Sequence, residues 1–239
     1  MIRATARVVA EPADAGATRL AVLRSEAPLL LRRTGPDEIH LVGGAAGPLG
    51  GDDLRLEIDV RPGARLCVRT VEATVALPGR GPSRFTVTAS VADGAVLCWL
   101  PEPLVAAARC DHEVSSTVDL ASTARLLWRD ELVCGRHGED PGDARLTTVV
   151  RRAGRPLYHH GLAVGPHAPG WDGPAVLGGH RAAGSLLAVN LSAAHAPLAA
   201  PDRAVFPLAG PAFLVTALGD ARAVRNHLDA ASHAWSSQQ

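Results

Sequence analysis

The 239-residue sequence contains no lysine, so all 24 of its basic side chains are arginine. That absence removes Schiff-base chemistry, nucleotide binding through a P-loop lysine and a lysine general base. Aromatic residues are scarce, at 3%, with three Phe, four Trp and one Tyr. The core must therefore be built from Ala, Val and Leu. Net charge is also missing, because 24 Asp and Glu match the arginines. No positive stripe is left for nucleic acid. The N-terminus alternates polar and apolar residues and lacks an apolar export segment. No apolar run reaches the roughly 18 residues of a spanning helix, so no membrane partner is expected. The four cysteines, Cys67, Cys98, Cys110 and Cys134, show no CxxC spacing. They read as reduced, semi-buried thiols in a cytoplasmic protein.

What the chain has in plenty is punctuation. Its 24 Gly and 18 Pro favour many short strands over long helices. Leu54, Leu56, Ile58 and Val60 alternate with charged residues, Pro62-Gly63 turns the chain, and Leu66, Val68 and Thr70 begin a return. Phe85 to Val91 alternate again and return through Asp93-Gly94 into Leu97 and Trp99. Val114 to Leu120 make a third upstroke, which turns into Leu126 and Trp128. These three predicted hairpins are copies of one unit. Val60 to Leu66 matches Val91 to Leu97, with the turn glycines 31 residues apart, and Cys67 and Cys98 hold the same place. A strand repeat near 30 residues implies stacked layers, since one unit cannot bury its apolar face alone. The fold expected is mainly β, with stacked antiparallel strands in a β-solenoid-like or sandwich arrangement. It forms one domain over 1–239, with the repeats at about 53–133.

In the last third, Gly165 to Gly179 reads as a loop, and 185–190 and 213–218 read as two buried strands. Asp220 is a predicted N-cap for a helix over about 221–235. Val224, Leu228, Ala231 and Trp235 line one face of it, while Arg222, Arg225, Asn226 and Asp229 make the other, wet face.

No catalytic constellation stands out. Of ten histidines only His159 and His160 are close in sequence, and strand neighbours point to opposite faces. There is no HExxH motif and no GxSxG elbow. Three segments do carry candidate chemistry. The glycine-rich run from Gly43 through Gly50 and Gly51 leads into a strand, so it predicts a tight turn presenting Asp52 and Asp53 rather than a phosphate cradle. In Leu100-Pro101-Glu102-Pro103, two prolines fix one carboxylate. In Leu126 to Glu139, Asp130 shares the strand face of Trp128, and Glu131 shares that of Arg129. Charges in an apolar strand are costly unless paired or wet, and an Arg129–Glu131 surface pair is the simplest answer.

In these segments the sequence resembles the UreD (UreH) family of urease accessory proteins. The resemblance rests on Gly50-Gly51-Asp52 before an alternating strand, Pro62-Gly63-Ala64, and Thr70-Val71-Glu72-Ala73-Thr74. It continues through Trp99-Leu100-Pro101-Glu102-Pro103 and through Leu126-Leu127-Trp128 leading to Gly135-Arg136 and Gly138-Glu139. The chain looks like a short, divergent member, with Val75-Ala76-Leu77-Pro78 where the family often has a basic residue and an aromatic. The resemblance implies a non-catalytic assembly factor that binds apo-urease with UreF and the GTPase UreG. It implies no tightly bound cofactor, only nickel in transit through an internal passage that carboxylates would wall. Gly50, Gly51, Asp52, Thr74, Glu102, Asp130, Glu131, Arg136, His137 and Glu139 are the candidate partner or nickel-path residues. Asp52, Glu102, Glu131 and Glu139 are expected to serve activation rather than folding. Without the resemblance, the carboxylates near Asp52, Glu102 and Glu131 would suit a small-molecule hydrolase, or the layers a generic interaction module.

Overall fold

The computed structural model describes residues 1–191 and 200–236, with side chains described except at 15 and 234–236. Two β-sheets stack face to face with one helix outside. The first has seven strands in the order β14-β13-β11-β8-β5-β1-β2. These are β1 (Arg3–Pro12), β2 (Thr18–Arg24), β5 (Asp53–Val60), β8 (Ser83–Val91), β11 (Asp111–Leu120), β13 (Asp143–Arg152) and β14 (Arg155–Val164). The second runs β16-β17-β15-β12-β9-β6-β4-β3, with β7 and β10 attached beside β12. Its strands are β3 (Leu29–Arg33), β4 (Glu38–Gly43), β6 (Arg65–Thr70), β7 (Thr74–Ala76), β9 (Val96–Leu100), β10 (Leu104–Ala106), β12 (Arg125–Cys134), β15 (Ala182–Val189), β16 (Arg203–Pro207) and β17 (Ala212–Gly219). Helix α1 (Ala221–Ser236) packs on β15, β17 and β12.

The chain is thus mainly β, solenoid-like, with one C-terminal helix, and the repeat near 30 residues sets the register. Val60 pairs with Val91 and Val91 with Leu120, while Leu66 pairs with Leu97 and Leu97 with Leu126. The expected antiparallel hairpins are arches instead. β5 and β6 lie in different sheets, and successive copies pair in parallel, as in β5–β8–β11 and β6–β9–β12. Each arch puts its two arms in opposed sheets, whose inner faces bury the apolar residues of both arms against each other and let successive units stack in step. Antiparallel pairing is confined to the ends, where β2, β3, β14 and β15–β17 close the stack. The arch turns also stack. Gly63 N–H donates to Asp93 O, and Asp93 Oδ1 accepts from Thr123 Oγ1 at 2.7 Å. Gly63 and Gly94 hold φ of 74° and 67°, which these turns require.

Between the sheets lies an Ala/Val/Leu core with Trp99 and Trp128 stacked at 5.2 Å. A second cluster fills the space under α1, where Val224, Leu228 and Ala231 are fully buried, as their spacing predicts. Asp220 caps the helix through Ala223 N–H at 2.8 Å. The side chain of Trp235 and the whole of His195 lie outside the described residues. None of the four cysteines is in a disulfide. Among the described residues no helix is long and apolar enough to cross a membrane.

Candidate functional site

The inward phase of the strands is apolar in the main core and turns polar in a belt between that core and a second apolar cluster around Leu132, Ala144 and Leu146. On β11 it runs Leu120, Val118, Ser116, Val114, His112; on β13 it passes from Val150 to Thr148; on β12 from Trp128 to Asp130. Three cavities lie between the sheets in this polar zone. The middle one, of ≈ 60 Å³, is walled by His112, Ser116, Thr70, Thr74, Glu102, Asp130 and Glu131 among others. It shares Leu41, Thr70, Thr74 and Phe85 with a cavity of ≈ 100 Å³ that reaches Asp52 and the glycine run. On its other side it shares Asp130 and Leu146 with a cavity of ≈ 420 Å³ lined by Thr148, His160 and Ser185. The three therefore form a row with common walls.

Asp130 stands at the joint. Its Oδ1 accepts from Trp128 Nε1 at 3.2 Å and its Oδ2 from Thr148 Oγ1 at 2.7 Å. Burial pushes its carboxyl above the ordinary Asp range, against the pull of those two donors and of nearby His160. Opposite, His112 is 2% exposed, and its Nδ1 meets Ser83 Oγ at 2.8 Å. Its Nε2 is buried without a hydrogen-bond partner. Burial lowers its pKa to about 4, so the ring is neutral near pH 7 and holds a nitrogen lone pair or N–H toward the cavity. Of the predicted residues Thr74, Glu102, Asp130 and Glu131 border the middle cavity and Asp52 the one beside it, and Asp130 is the one held between the sheets by neutral hydrogen-bond donors. His112 was missed, although its position two residues before Val114 already put it on the inward phase.

Glu131 and Glu102, which also border the middle cavity, are held under α1. The Arg129–Glu131 pair exists, at 3.1 Å, but it is buried rather than on the surface, with the two residues 1% and 5% exposed. The cause is the helix face expected to stay wet. Arg225 Nε stands 3.2 Å from Glu131 Oε1, Arg225 Nη1 donates to Glu102 Oε1 at 2.8 Å, and Asp229 accepts from Arg129 Nη1 at 2.6 Å. Arg129 also donates to the carbonyls of Leu100 and Pro101. Arg222 and Asn226 remain exposed. Burial still pushes Glu131 upward despite its two arginines. The helix seats here because β15 offers Gly184, where a Cβ would lie 2.6 Å from Leu228 and 2.7 Å from Val224.

The other predicted residues are held in turns. Asp52 is not presented by the glycine turn. It is 3% exposed and accepts from Ile2 N–H at 2.7 Å and Leu49 N–H at 3.0 Å, because the turn folds back over it and tethers β1. Gly50 crosses Gly79 so closely that a Cβ would sit 2.6 Å from the Gly79 nitrogen, and Gly51 holds φ of 97°. Thr74 opens β7, donates its N–H to Pro103 O and lines the first two cavities of the row. Arg136 grips Glu139 with two hydrogen bonds, at 2.8 and 2.9 Å, in the turn after β12. Those bonds and two backbone amides, of Arg136 and Ala108, hold the Glu139 carboxyl down at about 2. His137 is exposed in the same turn, and none of these three borders the row of cavities. Among the described residues no group of three or more His, Cys, Asp or Glu is placed to hold a metal ion.

Comparison with known proteins agrees with this fold-wide pattern. The family model described as UreD urease accessory protein matches residues 3–238. A protein named urease accessory protein UreD 3, from Streptomyces griseus subsp. griseus, is 50% identical, with 96% of this chain and 95% of the relative covered. UreD of Frankia alni is 46% identical over 92% of this chain and 88% of the relative. UreD of Streptomyces avermitilis is 46% identical over 96% of each.

Proposed function

The chain belongs to the UreD family of urease accessory proteins, and on that premise we propose that it is a non-catalytic cytoplasmic scaffold for nickel delivery to urease. In this reading it binds apo-urease together with UreF and UreG, and nickel passes through the row of cavities to the urease metal centre. The supporting observation is that row, which has common walls and Asp130 and His112 facing in at its centre. Oxygen donors with the neutral imidazole of His112 hold a borderline divalent ion weakly, as cargo in transit requires. The same chemistry assigns the other carboxylates a holding role. Glu131, Glu102 and Asp229 anchor α1 to β12 through Arg129 and Arg225, and Asp52 and Glu139 close turns.

The direct test is co-expression of the tagged chain with UreF, UreG and the urease subunits. Co-purification of UreF and urease, with urease activity that depends on the chain, is the expected result. A folded chain that captures neither sinks the reading.

A further inference from the structure

We propose that Cys67 and Cys98 form a two-coordinate site for a soft monovalent metal ion of the copper(I) class on the outer face of the ten-stranded sheet. The site stands apart from the inter-sheet cavities and does not depend on the urease reading. Successive coils make the two residues direct partners in a parallel ladder. Leu66, Val68, Leu97 and Trp99 take the inward phase of the same two strands. Both thiols therefore project outward, side by side, since register partners on parallel strands point the same way. Cys98 is buried in the cluster under α1, and Cys67 is half-buried at its margin, where solvent can reach it. The two side chains are in hydrogen-bond contact, and neither is in a disulfide.

The spacing selects the ligand. Neighbouring strands lie about 4.8 Å apart, and register partners keep their Cβ atoms at about that separation. A disulfide needs Cβ atoms at about 3.8 Å, so closing one would pull the strands together. Two metal–sulfur bonds of about 2.3 Å laid end to end hold the sulfurs about 4.6 Å apart, wider than their present contact, so the two side chains rotate apart on binding while the strands stay in place. Thiolate is also the donor that copper(I) favours. Binding converts two thiols and one M⁺ into an S–M–S unit of charge −1. Two metal–sulfur bonds form, the two S–H protons go to solvent, and no electron is transferred. The resulting negative charge sits near Arg69, whose guanidinium lies 3.1 Å from Glu38. Nickel(II) and zinc(II) prefer four donors, and among the described residues no third His, Cys, Asp or Glu joins this pair in a metal-holding group.

The test is anaerobic titration of the purified full chain with copper(I) against a chromophoric copper(I) chelator, with X-ray absorption on the loaded protein. The expected result is one ion per chain with two sulfur neighbours. Cys67→Ala and Cys98→Ser should each weaken retention by roughly 100-fold or more, while Cys110→Ser, in a different cluster, leaves it unchanged. Circular dichroism checks folding, and Cys67→Ala, at the half-buried position, carries the test if Cys98→Ser does not fold. Wild-type retention in folded Cys67→Ala overturns the proposal. So does a folded wild-type chain that yields all its copper(I) to the chelator, or nickel(II) held by these thiols as tightly as copper(I).

Discussion

On one face of β12 the charges of Arg129 and Glu131 close on each other and on helix α1; on the other face Asp130, the residue between them, hydrogen-bonds to the neutral donors Trp128 and Thr148 and lies near His160. The strand's period of two does the sorting. It sends odd residues under the helix, where every charge finds an opposite one, and the even residue into a space between the sheets. The first arrangement fixes a structure, because a buried ion is tolerated only with a partner at ion-pair distance. The second leaves a carboxylate whose burial outweighs the pull of its donors and of His160, a state that stability alone does not favour. The same contrast runs along β11, where Val118 and Leu120 are plain core and His112 keeps an unpartnered nitrogen.

This contrast can be broken at its strongest point first. Arg129→Ala leaves Glu131 buried opposite Arg225 alone and frees Asp229 from its partner. The expected loss is about 3–5 kcal/mol in denaturant unfolding, with α1 fraying first in hydrogen exchange. Gly184→Ala attacks the same face by sterics. Its Cβ meets Leu228 and Val224 well inside contact distance, and an overpacked helix seat costs about 2–3 kcal/mol by the same unfolding measurement.

The inner face is sharpened by pH. His112 has a folded pKa of about 4 against an ordinary 6.5, so the unfolded chain binds the extra proton first as pH falls. Its contribution is intact above 6.5 and declines through the window down to 4, by about 2 kcal/mol between pH 7 and pH 5. His112→Gln should flatten that part of the wild-type stability profile measured by thermal unfolding. Asp130 works with the opposite sign. Its raised folded pKa means that stability falls as pH rises from the ordinary Asp value of 3.8 through the folded one. Asp130→Asn should therefore remove that decline, a gain at neutral pH that the altered hydrogen bonds to Trp128 and Thr148 offset, for a net change of less than about 1 kcal/mol, the smallest effect of the set.

How far the sequence reaches follows the same physics. Period-two alternation and the 31-residue copy placed β5, β6, β8, β9, β11 and β12 and their register, because identical units must stack in step. Strand period also put Asp130 with Trp128 and Glu131 with Arg129. It could not show which sheet a returning arm joins, since a short turn serves a hairpin and an arch alike, and so the pairing sense was misread. Nor could it show that Arg225 and Asp229, about 100 residues from β12, would cover Arg129 and Glu131 and bury a pair that looks like surface. Asp52 was misplaced for a related reason: its partners, the amides of Ile2 and Leu49, are backbone groups that leave no mark in residue type.

The central claim is that the inner-face carboxylate serves nickel delivery and the outer-face charges serve the fold. Nickel content and activity of urease matured with Asp130→Asn test it most directly. The account predicts a folded variant that still co-purifies with UreF and urease yet leaves urease poor in nickel and activity. Urease matured to wild-type nickel content by Asp130→Asn would contradict it.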